Sequence, residues 1–277
     1  TAMVANYKIN SQWVPLEEPL VVDDTFSGEI AAKGDTLWVL LDNTLREYSI
    51  GEKLSLVWEK KLEDDYEKIS VDQNGNLYVT GFMSPMLTLS GNEVVATNKD
   101  VDTAVMHPGG EWGVSFFYGS PSRKVTLNNH TATMSEWLPM DNVNVNNVSI
   151  SEHYIFVAGT NKETDNHGVW VYDASGNEKC VLGNKEYGEP DSLGSITQVV
   201  ETAGGFIGFD GNMREILFWQ TDGTYIGSLE DSELFGTNYP WISAAAVMKD
   251  GSVLVGMTEE RADKSADEFI VFRLTGF

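Results

Sequence analysis

The sequence has little of what disulfides, zinc clusters and membrane spans require. Its 277 residues include one cysteine, Cys180, which excludes an internal disulfide and any cysteine-based zinc cluster. None of the four histidines stands in an HxxxH or HExxH spacing. No stretch approaches the roughly 18 consecutive apolar residues that a membrane helix needs. We therefore expect no membrane insertion.

Basic residues are also scarce. The chain carries 18 Lys and Arg against 42 Asp and Glu, a formal net charge of −24. Nucleic acids and anionic lipids are bound through clusters of Lys and Arg, so this charge argues against both kinds of partner. It is compatible with simple solubility, cation binding or a basic partner.

The first residues of the sequence leave the location of the protein open. Thr1-Ala2-Met3 is followed by no signal-like segment, which is uninformative if processing has removed one. Cysteine poverty is common among exported bacterial proteins. We expect an extracellular, periplasmic or surface-anchored bacterial protein.

What the sequence does contain is a repeat. Six segments share a short apolar run, a turn rich in Gly, Asn and Asp, and a strongly β-prone run, with separations that average about 43 residues. The second runs begin at Leu37, Leu77, Trp112, Ile155, Phe206 and Val253. A second hairpin follows most of them, for example at Asp222-Gly223, where the backbone needs positive φ. Two hairpins per period predict four-stranded blades.

The repeat predicts an all-β fold: a six-bladed β-propeller of four-stranded antiparallel blades in a single domain, 1–277. The third strand of the last blade ends the chain, and Tyr7–Leu16 is the β-prone run left to supply its fourth strand. We therefore expect N- and C-terminal strands to close the ring, which removes an exposed edge. The predicted blades span roughly 28–65, 66–102, 103–142, 143–193, 194–240 and 241–277, the last completed by 7–16.

Blade five carries a family resemblance. Residues 188–229 resemble an NHL-type repeat, with a Gly/Pro lead-in, a Gly-x-aromatic-Ile run, Asn-x-Arg-Glu-Ile and an Asp-Gly hairpin. Blade two and residues 168–183 of blade four resemble it more loosely. The whole chain is thus similar to six-bladed propellers of the NHL, TolB-like and SMP-30/gluconolactonase group. This resemblance implies the fold far more specifically than a function.

The long crossovers between blades are the predicted binding face. They hold fifteen acidic residues against Lys99 and Lys185, together with several aromatic residues. Loops over a rigid scaffold commonly carry binding residues. The predicted partner-binding residues are Tyr66, Tyr187, Phe235, Tyr239 and Trp241.

No complete catalytic constellation is visible in the sequence: no nucleophile elbow, no P-loop and no histidine placed beside acids at the channel. The main hypothesis is a monomeric, non-catalytic binding or scaffolding propeller, without cofactor, for a protein or glycan partner. A purely structural domain of a larger assembly is a further reading.

The alternative is a Ca²⁺-dependent, lactonase-like hydrolase. The family resemblance implies a central Ca²⁺ held by oxygen ligands, with Glu29, Asp102 and Asn147 at matching positions. Blades five and six lack the further carboxylate that the family pattern requires.

Several conspicuous residues have simpler structural explanations. We expect Trp112, Phe116, Phe117 and Tyr118 mostly to pack between blades. Met83 and Met86 are interpreted as gap fillers beside Pro85. Residues 72–76, Asp-Gln-Asn-Gly-Asn, begin like a calcium loop but lack its later glutamate and predict a hairpin turn.

Overall fold

The computed structural model describes residues 10–13, 20–22, 28–118, 122–138, 140–230, 241–260 and 267–275. β-Strands supply the regular secondary structure of this part of the chain. Within the same ranges, no helix is long and apolar enough to cross a bilayer. Two predicted partner-binding residues, Phe235 and Tyr239, lie outside the described residues.

The chain divides into two compact units. Unit 1 comprises residues 1–59 and 194–277, and unit 2 comprises residues 60–193. Each contains antiparallel sheets, which we number as blades 1 to 6 in chain order. The sheets fall inside the six segments that the repeat predicts, while the single-domain assignment stays a prediction.

Unit 2 contains blades 2, 3 and 4, each with four strands in consecutive antiparallel order. The strands of blade 2 are β7 (Lys68–Val71), β8 (Leu77–Gly81), β9 (Ser84–Ser90) and β10 (Glu93–Asn98). Those of blade 3 are β11 (Ala104–Met106), β12 (Trp112–Ser115), β13 (Arg123–Asn128) and β14 (Thr131–Glu136). Those of blade 4 are β15 (Val143–Ile150), β16 (Tyr154–Asn161), β17 (His167–Asp173) and β18 (Glu178–Gly183).

Unit 1 contains blades 5, 6 and 1. Blade 1 has β3 (Glu29–Lys33), β4 (Thr36–Leu41), β5 (Thr44–Ile50) and β6 (Leu54–Lys61), the last running two residues past Glu59. Blade 5 has β19 (Ile196–Thr202), β20 (Gly205–Asp210), β21 (Glu215–Trp219) and β22 (Tyr225–Glu230). Blade 6 has β23 (Trp241–Val247), β24 (Val253–Glu260) and β25 (Asp267–Thr275), joined by β1 (Asn10–Trp13) and β2 (Leu20–Val22).

The N-terminal segment completes blade 6, as the sequence predicts. Asn10 pairs with Thr275 and Trp13 with Phe272, so β1 forms the expected fourth strand beside β25. A second strand, β2, was not expected. It pairs with the other end of β25, from Leu20 opposite Phe269 to Val22 opposite Asp267. Since β25 has nine residues, its edge accommodates both short strands.

Inner strands are buried on both faces, and within each unit neighbouring blades pack against one another. All six residues of β20 and all five of β8 are buried. In unit 1, Phe209 and Phe218 of blade 5 share a core with Met257 and Phe272 of blade 6. This two-sided burial explains why these strands are continuous apolar runs rather than alternating ones.

Unit 2 has the same construction. Tyr78 and Met86 of blade 2 pack with Met106 and Val125 of blade 3. Val114 and Phe116 of blade 3 pack in turn with residues of blade 4 such as Ile155. A fully buried core residue of this kind contributes about 1.5–3 kcal/mol relative to an exposed one, so packing between the blades of this unit stabilises it.

Candidate functional site

The blades of unit 2 have two distinct ends. Because consecutive strands are antiparallel, the link between the second and third strands leaves a blade at the same end as the crossover to the next blade. We call this the crossover end, and the opposite one, with the short first-to-second and third-to-fourth links, the turn end.

At the crossover end of blade 2, the loop before β7 is bonded to the link between β8 and β9. The Ser84 hydroxyl donates to the carbonyl oxygen of Asp65 at 2.7 Å, and the Tyr66 hydroxyl donates to that of Pro85 at 2.7 Å. The backbone approach is close at Gly81, where an added Cβ would lie 2.9 Å from Tyr66 Cα and collide with the Asp65 carbonyl oxygen. Glycine is therefore required sterically at this position.

The same end joins blade 2 to blade 3. The Thr80 hydroxyl donates to the Ala104 carbonyl oxygen at 2.8 Å and accepts from the Ala104 N–H at 2.9 Å. The Thr103 hydroxyl donates to Glu67 Oε2 at 3.2 Å, and the Phe116 N–H donates to the Thr103 carbonyl oxygen at 2.9 Å. Both crossovers are thus held against the links that follow β8 and β12.

Those two links carry exposed apolar side chains. We call Phe82, Met83, Phe117 and Tyr118 the aromatic patch; their exposed fractions are 46%, 82%, 46% and 66%. The Phe82 and Phe117 rings stack with centroids 4.9 Å apart and planes 11° apart. The patch therefore spans two blades on a scaffold of buried hydrogen bonds.

Acidic side chains accompany the aromatic patch. We call the segments 63–67 and 98–102 the acidic loops. Their exposed acids are Glu63, Asp64, Asp65, Glu67, Asp100 and Asp102, and Lys99 is their one basic residue. Burial, with added repulsion from Asp64 and Glu63, raises the pKa of Tyr66 to about 12. The surface is negatively charged around an apolar centre.

The predicted partner-binding residues fall into different environments. Tyr66 is 8% exposed, and its bond to Pro85 places it inside the scaffold and not on the surface that sequence analysis expected. Tyr187 is 89% exposed, in the crossover between blades 4 and 5. Trp241 is half-buried at the start of β23, opposite Thr258. Phe235 and Tyr239 lie outside the described residues.

The three positions of the calcium alternative lie on different elements. Glu29 begins β3 in unit 1, whereas Asp102 and Asn147 belong to unit 2. Asn147 lies at a register shift in β15, and its Oδ1 accepts the Val148 N–H at 3.0 Å. Among the described residues, no group of three or more His, Cys, Asp or Glu could hold a metal ion.

Sequence reasoning missed most of the aromatic patch. It expected Phe117 and Tyr118 to pack between blades and Met83 to fill a gap. Phe116 and Met86 are buried as expected, but β12 ends at Ser115, and the chain leaves the sheet after Phe116. Met83 adopts φ of 58°, in the left-handed region uncommon for a non-glycine residue. The sequence signal for this exposed residue was an apolar side chain, Met83, in a short turn between two strands.

The turn end of unit 2 uses the same residue types differently. Asp72 is 3% exposed and accepts from the N–H groups of Asn74 and Asn76, the Asn76 side chain and the Tyr78 hydroxyl. Burial acts to raise the pKa of Asp72, but the hydrogen bonds from Asn76 and Tyr78 together outweigh it and lower that pKa. Residues 72–76 form the predicted hairpin turn.

Aromatic and histidine side chains at the turn end are likewise engaged. His107 stacks on Trp112 with centroids 4.6 Å apart, and its Nε2 lies 2.8 Å from the Glu152 carbonyl oxygen. Lys124 Nζ lies 4.7 Å from the Trp137 ring centroid, within reach of a cation–π interaction. This cluster is internally satisfied.

Unit 1 places three carboxylates at successive cross-strand positions of blade 5. Asp210 pairs with Glu215, and Glu215 pairs with Glu230. Asp210 is buried and accepts the N–H groups of Gly194 and Met213. Burial, followed by repulsion from Asp210 and Glu230, raises the pKa of Glu215. The arrangement is electrostatically unfavourable when all three are ionised.

Comparison with solved structures identifies the architecture. The chain is similar to the β-propeller domain of Cps50 (Swd1) from Myceliophteria thermophila, with a TM-score of 0.60 over 96% of this chain and 89% of that one. The fold is a six-bladed β-propeller. The sequence identity is 10%, so the similarity concerns fold alone. No protein-family model and no curated protein matches the chain.

Proposed function

We propose that this propeller is a non-catalytic binding module that holds a protein partner against the crossover ends of blades 2 and 3. The observation that carries the proposal is the exposed Phe82–Phe117 stack, with Met83 and Tyr118 beside it. Apolar side chains exposed together on a rigid scaffold are typical of interaction sites.

The hydrogen bonds beneath the aromatic patch support this function. Thr80, Ser84 and Thr103 fix the links and crossovers without using the exposed rings. A partner would therefore meet a pre-organised surface and lose little free energy to ordering it. Aromatic and methionine side chains are also enriched at protein interfaces.

Tyr187 belongs to this proposal as a further contact on the crossover end of unit 2. The motif of blade five favours placing the propeller in the NHL, TolB-like and SMP-30-like group, and an exported or surface location is part of the proposal. A glycan is the second partner class that exposed rings could serve.

The test compares two double variants that each replace two exposed apolar side chains by Thr. Phe82→Thr with Phe117→Thr removes the stack and is the patch variant. Val94→Thr with Val95→Thr removes two apolar side chains, 40% and 45% exposed, from the outer strand of blade 2 and is the edge variant. Each is immobilised, together with the wild type, and bound proteins from the source organism are quantified by mass spectrometry.

We expect the wild type and the edge variant to retain one or more proteins in common. The bound amount of these proteins should fall at least tenfold with the patch variant. Equal retention by both variants would contradict the proposal. Circular dichroism and urea midpoints establish that each variant is folded.

A further inference from the structure

We infer that the occupant of the aromatic patch is a basic segment of a protein partner, with a large apolar residue between Lys or Arg residues. This inference rests on the proposed function and specifies its ligand. It combines two features of the crossover end of unit 2: the exposed stack and the acidic loops bonded to its supporting turns.

The first step is the position of the acids. Asp65 is the residue whose carbonyl oxygen accepts the Ser84 hydroxyl at 2.7 Å, and Ser84 directly follows Met83. Asp102 directly precedes Thr103, whose carbonyl oxygen accepts the Phe116 N–H at 2.9 Å, and Phe117 comes next. Each half of the stack therefore has an acidic loop held next to its backbone.

The second step is the sign of the local charge. The acidic loops carry six acids and Lys99. Lys61 and Lys68 stand on either side of the first loop, and the exposed Arg123 begins β13, so the acids outnumber the cations. The whole chain adds a net charge of −24. Such a surface attracts a cationic segment and repels an acidic one.

The third step is shape and chemistry. Two parallel rings 4.9 Å apart present a flat face and edges to an incoming side chain. Aromatic faces bind both apolar groups and guanidinium or ammonium groups. A segment that alternates Lys or Arg with Leu or Phe matches the patch and the loops at once.

The experiment uses synthetic hexapeptides labelled with fluorescein. Three of them carry a central Leu-Phe, flanked on each side by two basic, two Ser or two Glu residues. The fourth has two basic residues on each side of a central Ser-Ser. Binding to the full chain is measured by fluorescence anisotropy at 0.1 M and 1 M NaCl, where the Debye length is about 10 Å and about 3 Å.

Charge-matched variants separate local acids from overall charge. The loop variant is Asp64→Asn, Asp100→Asn and Asp102→Asn. Its control is Glu93→Gln, Glu111→Gln and Glu178→Gln, which removes three exposed acids elsewhere in unit 2. Both change the net charge by the same amount.

We expect the basic Leu-Phe peptide to bind at least tenfold more tightly than the other three at 0.1 M NaCl. The loop variant should weaken it at least fivefold, the control less than twofold, and the patch variant at least tenfold. At 1 M NaCl, the difference between the loop variant and the wild type should shrink to less than twofold.

Two results would overturn the inference; the first would leave the proposed binding of a protein standing, and the second would favour a glycan partner instead. One is equal binding of the Ser-flanked and basic peptides with loss in the patch variant. The other is patch-dependent binding of a neutral oligosaccharide such as maltohexaose without binding of the basic peptide. If the control variant weakened binding as much as the loop variant, net charge alone would explain it, which also overturns the inference.

Discussion

The two ends of the blades in unit 2 use the same residue types in opposite ways. At the turn end, Asp72 is buried under four donors and His107 stacks on Trp112. At the crossover end, the hydrogen bonds come from hydroxyls and backbone groups, while acids and aromatic rings stay exposed. The residue type therefore does not decide whether an acidic or aromatic side chain is exposed. That depends on whether local donors bind the carboxylate and whether a neighbouring blade covers the ring.

The largest expected effect breaks the scaffold of the crossover end. Gly81→Ala drives a Cβ into the Asp65 carbonyl oxygen and within 2.9 Å of Tyr66 Cα. We expect a loss of about 3 kcal/mol in the free energy of unfolding, since backbone offers no easy relief. Gly91→Ala, with φ of +58° and no atom within 4 Å of the added Cβ, should lose about 1 kcal/mol from strain alone. Urea unfolding measures both, and equal losses would contradict the close approach.

Asp72→Ala breaks the turn end. The Tyr78 hydroxyl and the Asn76 side chain lose their acceptor, so we expect a loss of about 2 kcal/mol at pH 7. Asp173 accepts the same bonds from Asn177 in an exposed turn, and Asp173→Ala should cost much less. Similar losses at the two sites would show that burial of Asp72 is unimportant.

The Asp72 contribution also has a pH signature. Because the folded pKa lies below the ordinary value of 3.8, the stabilisation is present above that value and is lost as pH falls through the folded pKa. The difference between wild type and Asp72→Asn in urea midpoint should therefore narrow between pH 4 and pH 2. A constant difference would contradict an ionised Asp72.

The contribution of Glu215 in blade 5 to stability should depend on pH in the opposite direction. The raised pKa of Glu215 means that its protonated form favours folding below the unfolded value, an advantage lost as pH rises through the folded pKa. We expect Glu215→Gln to stabilise by about 0.5 kcal/mol at pH 7 and to have no effect at pH 4. Glu201→Gln, on β19 of the same blade, is the control in urea unfolding, and a gain at pH 4 would contradict the electrostatic explanation.

The patch variant, Phe82→Thr with Phe117→Thr, sharpens the comparison because exposed residues should matter little to folding. We expect a change within about 1 kcal/mol, since an aromatic pair adds about 0.5–1.5 kcal/mol beyond burial and this one is half-exposed. Binding of the dye ANS to the native protein should fall. A loss of several kcal/mol would mean that the stack is part of the core.

The smallest expected effect concerns calcium. After EDTA treatment, equal ionic strengths of Ca²⁺ and Mg²⁺ should shift the melting temperature equally, by screening of the negative charge. A selective ligand at a hundredfold excess over Kd would add about 2.7 kcal/mol, equivalent to a few degrees. A shift with Ca²⁺ alone would favour the lactonase-like alternative through Glu29, Asp102 or Asn147.

Much of the fold was predictable because its signals are local. The Asp222-Gly223 turn predicts the hairpin of β21 and β22, and Gly223 has φ of +91°. The run left over at Tyr7–Leu16 predicts the strand beside β25. The site was less predictable. Tyr66 lies just before β7 and Phe117 just after β12, and no local sequence pattern shows which of the two rings another segment covers.

The sequence by itself determined the six repeats, their four-stranded pattern, the acidic charge and the turns, because each depends on composition or on residues a few positions apart. Tertiary structure alone decided that Tyr66 is buried against Pro85 and that Phe82 meets Phe117. It also decided that the acidic loops with Asp65 and Asp102 lie against the links that carry these two rings. Phe82 and Phe117 come from different blades and meet because Thr80 and Ala104 join those blades. Contacts between residues so far apart in the chain depend on packing that no local pattern records.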